Sequence, residues 1–269
     1  MNNWVIQAVC CLGMVLVTLS ACRHSTGKVA SIVSEDTLTK LSLQGIWADD
    51  EGETVQFRAE GDSLYYPGRE SRPLYFKVVD GQLMICGTDT VSYEIARLEK
   101  DCFWYHSITG ELIKLHRSEY ELDSLEFDNK PQAPIAMYDK VVKRDSVVMF
   151  DGHRYRGYVY INPSTRKVYK TSYNENGIKI EQVYYDNVIH ICVYEGKRSL
   201  YAKDFTKNDF ESVVERNFLK GAILSNMVFT GVSHEGFHYE ASLSIPNETL
   251  CYQIDILISP EGKLSLQKS

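Results

Sequence analysis

Beyond its first twenty-odd residues the chain has no long apolar run, and that opening run, Trp4 to Thr18, is shorter than the ~20 residues a membrane-spanning helix needs. Positive charge is also scarce. Against 36 Asp and Glu stand 29 Lys and Arg, and because residues 1–21 carry no charged side chain, the formal charge of -7 belongs wholly to residues 22–269. Such a balance offers no field for a phosphate backbone, so nucleic acid is not an expected partner. The strings that carry common chemistries are missing as well: no G-x-S-x-G elbow, Walker loop, G-x-G-x-x-G after a strand or paired C-x-x-C occurs. No cofactor or metal is expected, and the chain reads as a non-enzyme. What remains is ordinary globular material. With 269 residues, 44% hydrophobic and 24% charged, the chain is long enough for two domains of roughly 100 to 150 residues each.

The opening run, closed by small residues, reads as a secretory signal peptide, although Met1-Asn2-Asn3 lacks the expected basic side chain. The four residues that follow it, Leu19-Ser20-Ala21-Cys22, resemble the bacterial lipobox. That resemblance implies cleavage between Ala21 and Cys22 and acylation of the Cys22 thiol, which would become the lipid-bearing first residue. The partner expected first is therefore the membrane, reached through an N-terminal lipid anchor. Each buried CH₂ of such an anchor contributes about 0.8 kcal/mol, and several chains hold where one holds only reversibly. Residues 22–40 are polar, without sustained periodicity, and read as a tether.

From residue 41 the pattern becomes short alternating strands broken by turn chemistry. Eight runs, near 43–48, 53–58, 62–66, 73–79, 82–87, 91–98, 102–107 and 111–117, are punctuated by Glu51-Gly52, Glu60-Gly61, Asp80-Gly81 and Thr109-Gly110. An antiparallel meander that closes on itself, and so removes its edges, is the predicted form. Leu43-Gln44-Gly45-Ile46-Trp47 at its start resembles the Gly-x-Trp opening of lipocalin-like domains over residues 41–117. The resemblance implies a small up-and-down barrel with Trp47 packed across its base. Strands this short can be filled by their own side chains, so ligand binding is not carried over.

Residues 118–144, with Glu119, Glu121, Asp123, Glu126 and Asp128 followed by Pro131 and Pro134, read as an acidic linker without the spacing and turn glycine of a calcium loop. Residues 145–269 are again strand-rich, with predicted strands at 147–150, 155–161, 166–173, 178–185, 188–195, 198–203, 223–232, 237–245, 250–258 and 263–267. Between them Thr206 caps and Phe205 staples onto Phe210 a single helix near 207–220, ended by Gly221. The strand-hairpin order, the Asp204-Phe205 and Phe218-Leu219-Lys220-Gly221-Ala222-Ile223-Leu224 flanks of the helix and Ile245-Pro246 are similar to a domain of unknown function found in lipoproteins of Bacteroidetes gut bacteria. The resemblance, over about 140–269, implies an envelope setting and no activity. Surface-bound lipoproteins of that group tend to carry acidic residues after the lipidated cysteine. Arg23-His24-Ser25-Thr26 has none, which points to the periplasmic face of the outer membrane.

Candidate chemistry is sparse. His234-Glu235-Gly236-Phe237-His238 matches H-E-x-x-H, a zinc-hydrolase string that needs both histidines on one helical face. Phe237, Tyr239, Ala241, Leu243 and Ile245 alternate with polar residues, which is strand periodicity and places a hairpin turn near Gly236. Tyr155, Tyr158, Tyr160, Tyr169, Tyr173, Tyr184, Tyr185 and Tyr194 could form a row of rings on one sheet face for stacking on sugar, or be half-buried strand residues. Asp151 with His153 and Asp186 with His190 are lone polar pairs. Cys86 and Cys102, at opposite ends of a meander, are expected as buried thiols, and a Cys192–Cys251 disulfide is left open.

The fold class expected is mainly β: a small antiparallel up-and-down barrel, then a second strand-rich domain with one short helix. The function expected is a lipid-anchored envelope module that binds a protein or glycan partner. A barrel holding a small apolar ligand and a zinc-dependent hydrolase using residues 234–238 are the alternatives.

Overall fold

The computed structural model describes residues 34–52, 54–68, 70–127 and 134–269. Ala21, Cys22 and the rest of the segment expected to be a signal peptide lie outside the described residues. In residues 45–117 the strands are β1 (Gly45–Asp49), β2 (Val55–Glu60), β3 (Ser63–Tyr65), β4 (Leu74–Val79), β5 (Gln82–Cys86), β6 (Thr90–Leu98), β7 (Cys102–His106) and β8 (Leu112–Arg117). They form a closed barrel in which each pairs with the next, and β1 pairs back to β8 through Trp47↔Arg117 and Asp49↔Leu115. The turns follow from the residues. Between β4 and β5, Asp80 and Gly81 both take positive φ, 49° and 72°, as a two-residue type I′ turn requires.

Alternation along each strand fills the barrel with its own side chains. Trp47, Phe57, Phe76, Tyr93, Phe103 and Tyr105 are all essentially unexposed, and Trp47, Phe57 and Tyr105 each contact Phe103 at centroid distances of 5.6, 6.3 and 5.2 Å. Edge-to-face and stacked ring pairs of this kind contribute about 0.5–1.5 kcal/mol each beyond their area. At the base the Trp47 indole N–H donates to the Leu43 carbonyl at 2.8 Å, while Arg117 lies 4.4 Å over its ring.

Part of the expected tether is folded. The Asp36 carboxylate accepts from the Thr39 N–H at 3.0 Å and hydroxyl at 2.6 Å, capping α1 (Thr37–Ser42). Lys40 is then buried, its ammonium 5.0 Å over the Phe76 ring and paired with Glu35 at 2.7 Å and Asp62 at 2.6 Å. The acidic segment is likewise structured at its start, where α2 (Glu121–Ser124) leads into a 3-10 turn over Leu125–Phe127, and Phe127 meets the Arg58 guanidinium at 5.1 Å.

The later strands are β9 (Ile135–Ala136), β10 (Val142–Phe150), β11 (His153–Tyr173), β12 (Lys179–Glu195), β13 (Arg198–Phe205), β14 (Ile223–Ser233), β15 (Gly236–Ser244), β16 (Cys251–Ile258) and β17 (Leu264–Lys268). One sheet runs β10-β11-β12-β13, with β9 parallel to β12, and a second runs β14-β15-β16-β17. Val159, Ile161, Ile189, Ile191 and Val193 of the first share one core with Phe229, Tyr239, Leu243, Ile254 and Ile256 of the second. The sequence splits β11 at 161–166 and β12 at 185–188, whereas each is a single strand of 21 and 17 residues. The irregularity between Pro163 and Lys167 absorbs the proline, which a ladder accepts at a bulge.

The helix expected near 207–220 is two pieces. Its start forms as expected, with the Thr206 N–H donating to the Asp209 carboxylate at 2.8 Å and Phe205 stacked on Phe210 at 5.9 Å. The turn over Lys207–Phe210 is 3-10, however, and α3 (Arg216–Gly221) begins only after the β-branched pair Val213-Val214. Phe210, Val214 and Leu219 all reach the core, and a break between them brings the second piece down onto it.

Candidate functional site

Strand periodicity divides the rings of β11 between two faces. Gly157, Val159 and Ile161 point to the core, and at Gly157 the approach is so close that a Cβ would overlap the Phe229 ring. Arg156, Tyr158 and Tyr160 point the other way, paired across the ladder with Tyr194, Cys192 and His190 of β12. On this outward face Tyr158 lies 6.1 Å from Tyr160 with near-parallel rings and 5.8 Å edge-on to Tyr194, and Tyr160 lies 6.1 Å from His190. The four rings are half-buried and make one aromatic patch. Charges border it. Arg156 sits 4.8 Å over Tyr158 while paired to Asp145, Lys143 sits 5.8 Å from Tyr160, and Asp204 accepts from His190 at 2.7 Å. A platform of apolar faces with polar tips and mixed charges at its rim suits recognition of a polar partner.

The eight tyrosines do not make one row. Tyr158, Tyr160 and Tyr194 meet, but Tyr155 faces the core against Phe237 and Tyr184 is buried with its hydroxyl bonded to Gln182 and Asn247. Tyr169 lies 4.4 Å beneath the Arg72 guanidinium, close to the barrel. A strand of 21 residues carries its rings past two different neighbours, which periodicity alone does not reveal.

The second site sits where the far end of the β11–β12 hairpin meets the barrel mouth. Ile178, fully buried, belongs to the barrel core. Around it Tyr105 donates its hydroxyl to the Asn176 carbonyl at 2.7 Å, Tyr93 to the Gly177 carbonyl at 3.0 Å, and the Lys179 N–H donates to the Tyr93 hydroxyl at 2.8 Å. Burial pushes both phenols far above their ordinary range. Beside them Lys179 and Glu181, neither with any exposed side-chain surface, lie 3.3 Å apart. Glu181 also accepts from Arg72 and the Thr88 N–H, and Lys179 also pairs with Asp89. Burial alone would raise the Glu181 carboxyl, but the Thr88 N–H and the Arg72 guanidinium outweigh it and hold the group below its ordinary value. The one local signal of the site is two ionisable residues, Lys179 and Glu181, at i and i+2 of a strand, and nothing beside them marks them as buried.

The H-E-x-x-H string is a hairpin. Ser233 pairs with Gly236, so His234 and Glu235 are the two turn residues and His238 lies on β15, where its Nε2 is 2.7 Å from the Ser233 hydroxyl. His234 packs on Phe150 at 4.9 Å. The helical face that zinc hydrolysis needs does not exist at this string. Among the described residues no group of three or more His, Cys, Asp or Glu side chains is gathered in metal-binding range. His153 pairs with Glu195 at 2.6 Å rather than Asp151, and His190 with Asp204 rather than Asp186. Asp186 is instead buried, accepting from the Leu224 N–H at 2.9 Å and the Asn187 N–H at 2.8 Å, and burial raises its carboxyl above the usual range. All four cysteines of the described residues are free thiols; Cys86 and Cys102 are half-exposed rather than buried, and Cys192 is buried while Cys251 is exposed on the other sheet.

A filled eight-stranded barrel joined through a buried ionic seam to a two-sheet domain with an aromatic outer face defines a mainly β protein whose described features suit binding. Among the described residues no helix is long and apolar enough to cross a membrane. Residues 121–266 match the family model described as Domain of unknown function (DUF4738), and the chain belongs to that family. The matched segment starts at the first residue of α2, inside the acidic stretch, and runs through both sheets to Leu266 within β17. No curated protein matches the chain.

Proposed function

We propose that this chain is a lipid-anchored protein of the cell envelope, held through Cys22 at the periplasmic face of the outer membrane, that binds a protein or glycan partner without catalysis. The anchor is read from Leu19-Ser20-Ala21-Cys22. The observation that carries the binding reading is the aromatic patch of Tyr158, Tyr160, His190 and Tyr194, four half-buried rings in mutual contact on the sheet face opposite the one that builds the core. The barrel is the weaker binding candidate, because rings occupy its interior and Ile178 its mouth. Mass spectrometry of the mature protein tests the anchor: an acylated Cys22 is expected, and an unacylated terminus elsewhere overturns it. Cross-linking in intact cells, comparing the wild type with Cys22→Ser and with Tyr158→Ala/Tyr160→Ala, tests the partner. One adduct that both variants lose is expected, and a paired tyrosine variant that retains every adduct overturns the proposal.

A further inference from the structure

One end of the barrel is stopped by Ile178, and the other is crossed by α1. At that second end lie the start of β1, the close of β8 and the turns at 61–62, 80–81 and 99–101. Three hydrogen bonds tie α1 across it: the Asp36 N–H donates to the Val78 carbonyl at 2.8 Å, Gln44 Nε2 to the Gly61 carbonyl at 3.1 Å, and Arg117 to the Ser42 carbonyl at 2.8 Å. Its inner face is Lys40 and Leu43, 7% and 1% exposed. Residues three apart on a helix share a face, so Leu38 and Leu41 form the outer one, 77% and 67% exposed.

The chain leaves β8 at the same end. The Ser118 N–H donates to the Ile46 carbonyl at 2.9 Å beside the start of β1, and Phe127 meets Arg58 near the close of β2, so the stretch between them runs along the rim. Tyr120 and Leu122 on that stretch are each 73% exposed. Among the described residues these four are the most exposed of the large apolar side chains, and all four stand at one end of one barrel. Single apolar residues on a surface need no explanation, but such a concentration marks a face that meets something.

Two observations choose the occupant. The chain that enters α1 is the one that leads from Cys22, and residues 23–35 reach at most about 45 Å fully extended, so an acylated Cys22 holds this end of the barrel near lipid. Asp80, Asp101, Glu119 and Glu121 are exposed around the four side chains, and Lys100 is the one exposed cation described in the same turns. Such a rim repels a second copy of itself and an anionic headgroup layer alike, whereas a zwitterionic layer opposes it with no net charge.

We propose that the α1 end of the barrel rests on the surface of a zwitterionic bilayer, with Leu38, Leu41, Tyr120 and Leu122 entering the headgroup boundary. This rests on the Cys22 anchor proposed above and adds an orientation to it: the two-sheet domain, docked at the opposite end through Ile178, stands on the side away from the lipid.

The test uses the acylated protein in vesicles of phosphatidylethanolamine and acyl-brominated phosphatidylcholine, where bromine quenches a tryptophan that reaches the lipid. Leu41→Trp places an indole on the outer face of α1, and Ile108→Trp places one at the opposite end, where Ile108 is 53% exposed. Above the wild-type background of Trp47 and Trp104, quenching in Leu41→Trp is expected to exceed that in Ile108→Trp by roughly twofold or more, and to fall when anionic phosphatidylglycerol is added. Tyr120→Trp is expected to be quenched likewise, and to lose that quenching when Leu38 and Leu41 are both replaced by aspartate while the protein stays in the vesicle fraction. An acylated, vesicle-bound Leu41→Trp protein quenched no more than Ile108→Trp overturns the docking face and leaves the anchor standing. A protein that carries no acyl group and does not float with the vesicles overturns both. Quenching that rises with phosphatidylglycerol overturns the zwitterionic surface, and an unquenched Leu41→Trp protein that sediments as a dimer split by Leu38→Asp/Leu41→Asp reassigns the face to a second copy.

Discussion

Replacing Glu181 by alanine is the most direct way to ask what holds the hairpin in the barrel mouth. The substitution leaves the fully buried Lys179 ammonium with Asp89 alone and strips the Thr88 N–H and the Arg72 guanidinium of an acceptor. Breaking a buried ion pair from one side costs about 3–5 kcal/mol, mostly the penalty of the charge left behind, even where the intact pair adds little over an apolar seam. Arg72 retains 31% exposure and can rehydrate, which puts the expected loss nearer ~3 kcal/mol. Trp47 and Trp104 both lie in the barrel, so their fluorescence follows barrel unfolding, while far-ultraviolet dichroism follows all the strands. In urea the two signals of the wild type are expected to coincide. In Glu181→Ala the fluorescence transition is expected to move to lower urea and separate from the dichroism. Coincident transitions within ~0.5 kcal/mol of wild type would refute the idea that this network couples the two parts.

Acid gives an independent check on the same group: Glu181 is held below its ordinary value of 4.5, so its contribution is complete above that pH and drains away as pH falls through the lower folded-state value, and Glu181→Gln is expected to flatten that part of the stability profile. Ile178→Ala empties the barrel mouth and is expected to cost about 2–5 kcal/mol, seen in the barrel fluorescence. Gly157→Ala drives a methyl into the Phe229 ring, and a loss of about 1–3 kcal/mol is expected as a lower melting temperature. Asp186→Asn keeps an acceptor for the Leu224 and Asn187 N–H groups and removes a buried charge, so at pH 7 it is expected to stay within about 1 kcal/mol of wild type, whereas Asp186→Ala leaves both donors unpaired and costs about 2–4 kcal/mol by denaturant unfolding.

The barrel was legible because each of its signals is local. Alternation at Phe57, Phe76 and Leu83 and turn pairs such as Asp80-Gly81 set strand limits within two residues or so, and a meander leaves one plausible closure, β1 onto β8. The same locality exposed the H-E-x-x-H string as a hairpin, since alternation from Phe237 is incompatible with one helical face. Where the sequence misled, the missing term was distant. Splitting β11 at Pro163 follows from propensity, but the pairing partner on β12 carries the strand through. The caps at Thr206 and Asp36 were both local, yet only packing of Lys40 on Phe76 made α1 worth forming, and only the core positions of Val214 and Leu219 broke the later helix in two.

By itself, then, the order of residues determined strand periodicity, the turns, the barrel and the mainly β class, because hydrophobic alternation and turn stereochemistry act over a few neighbours. The tertiary structure alone decided which three tyrosines and one histidine share a face, that Ile178 stops the barrel mouth, and that Glu181 meets Arg72 across 109 positions of sequence. Those outcomes depend on which distant surfaces exclude water together, and desolvation of a charge or a ring has no signature in the residues beside it.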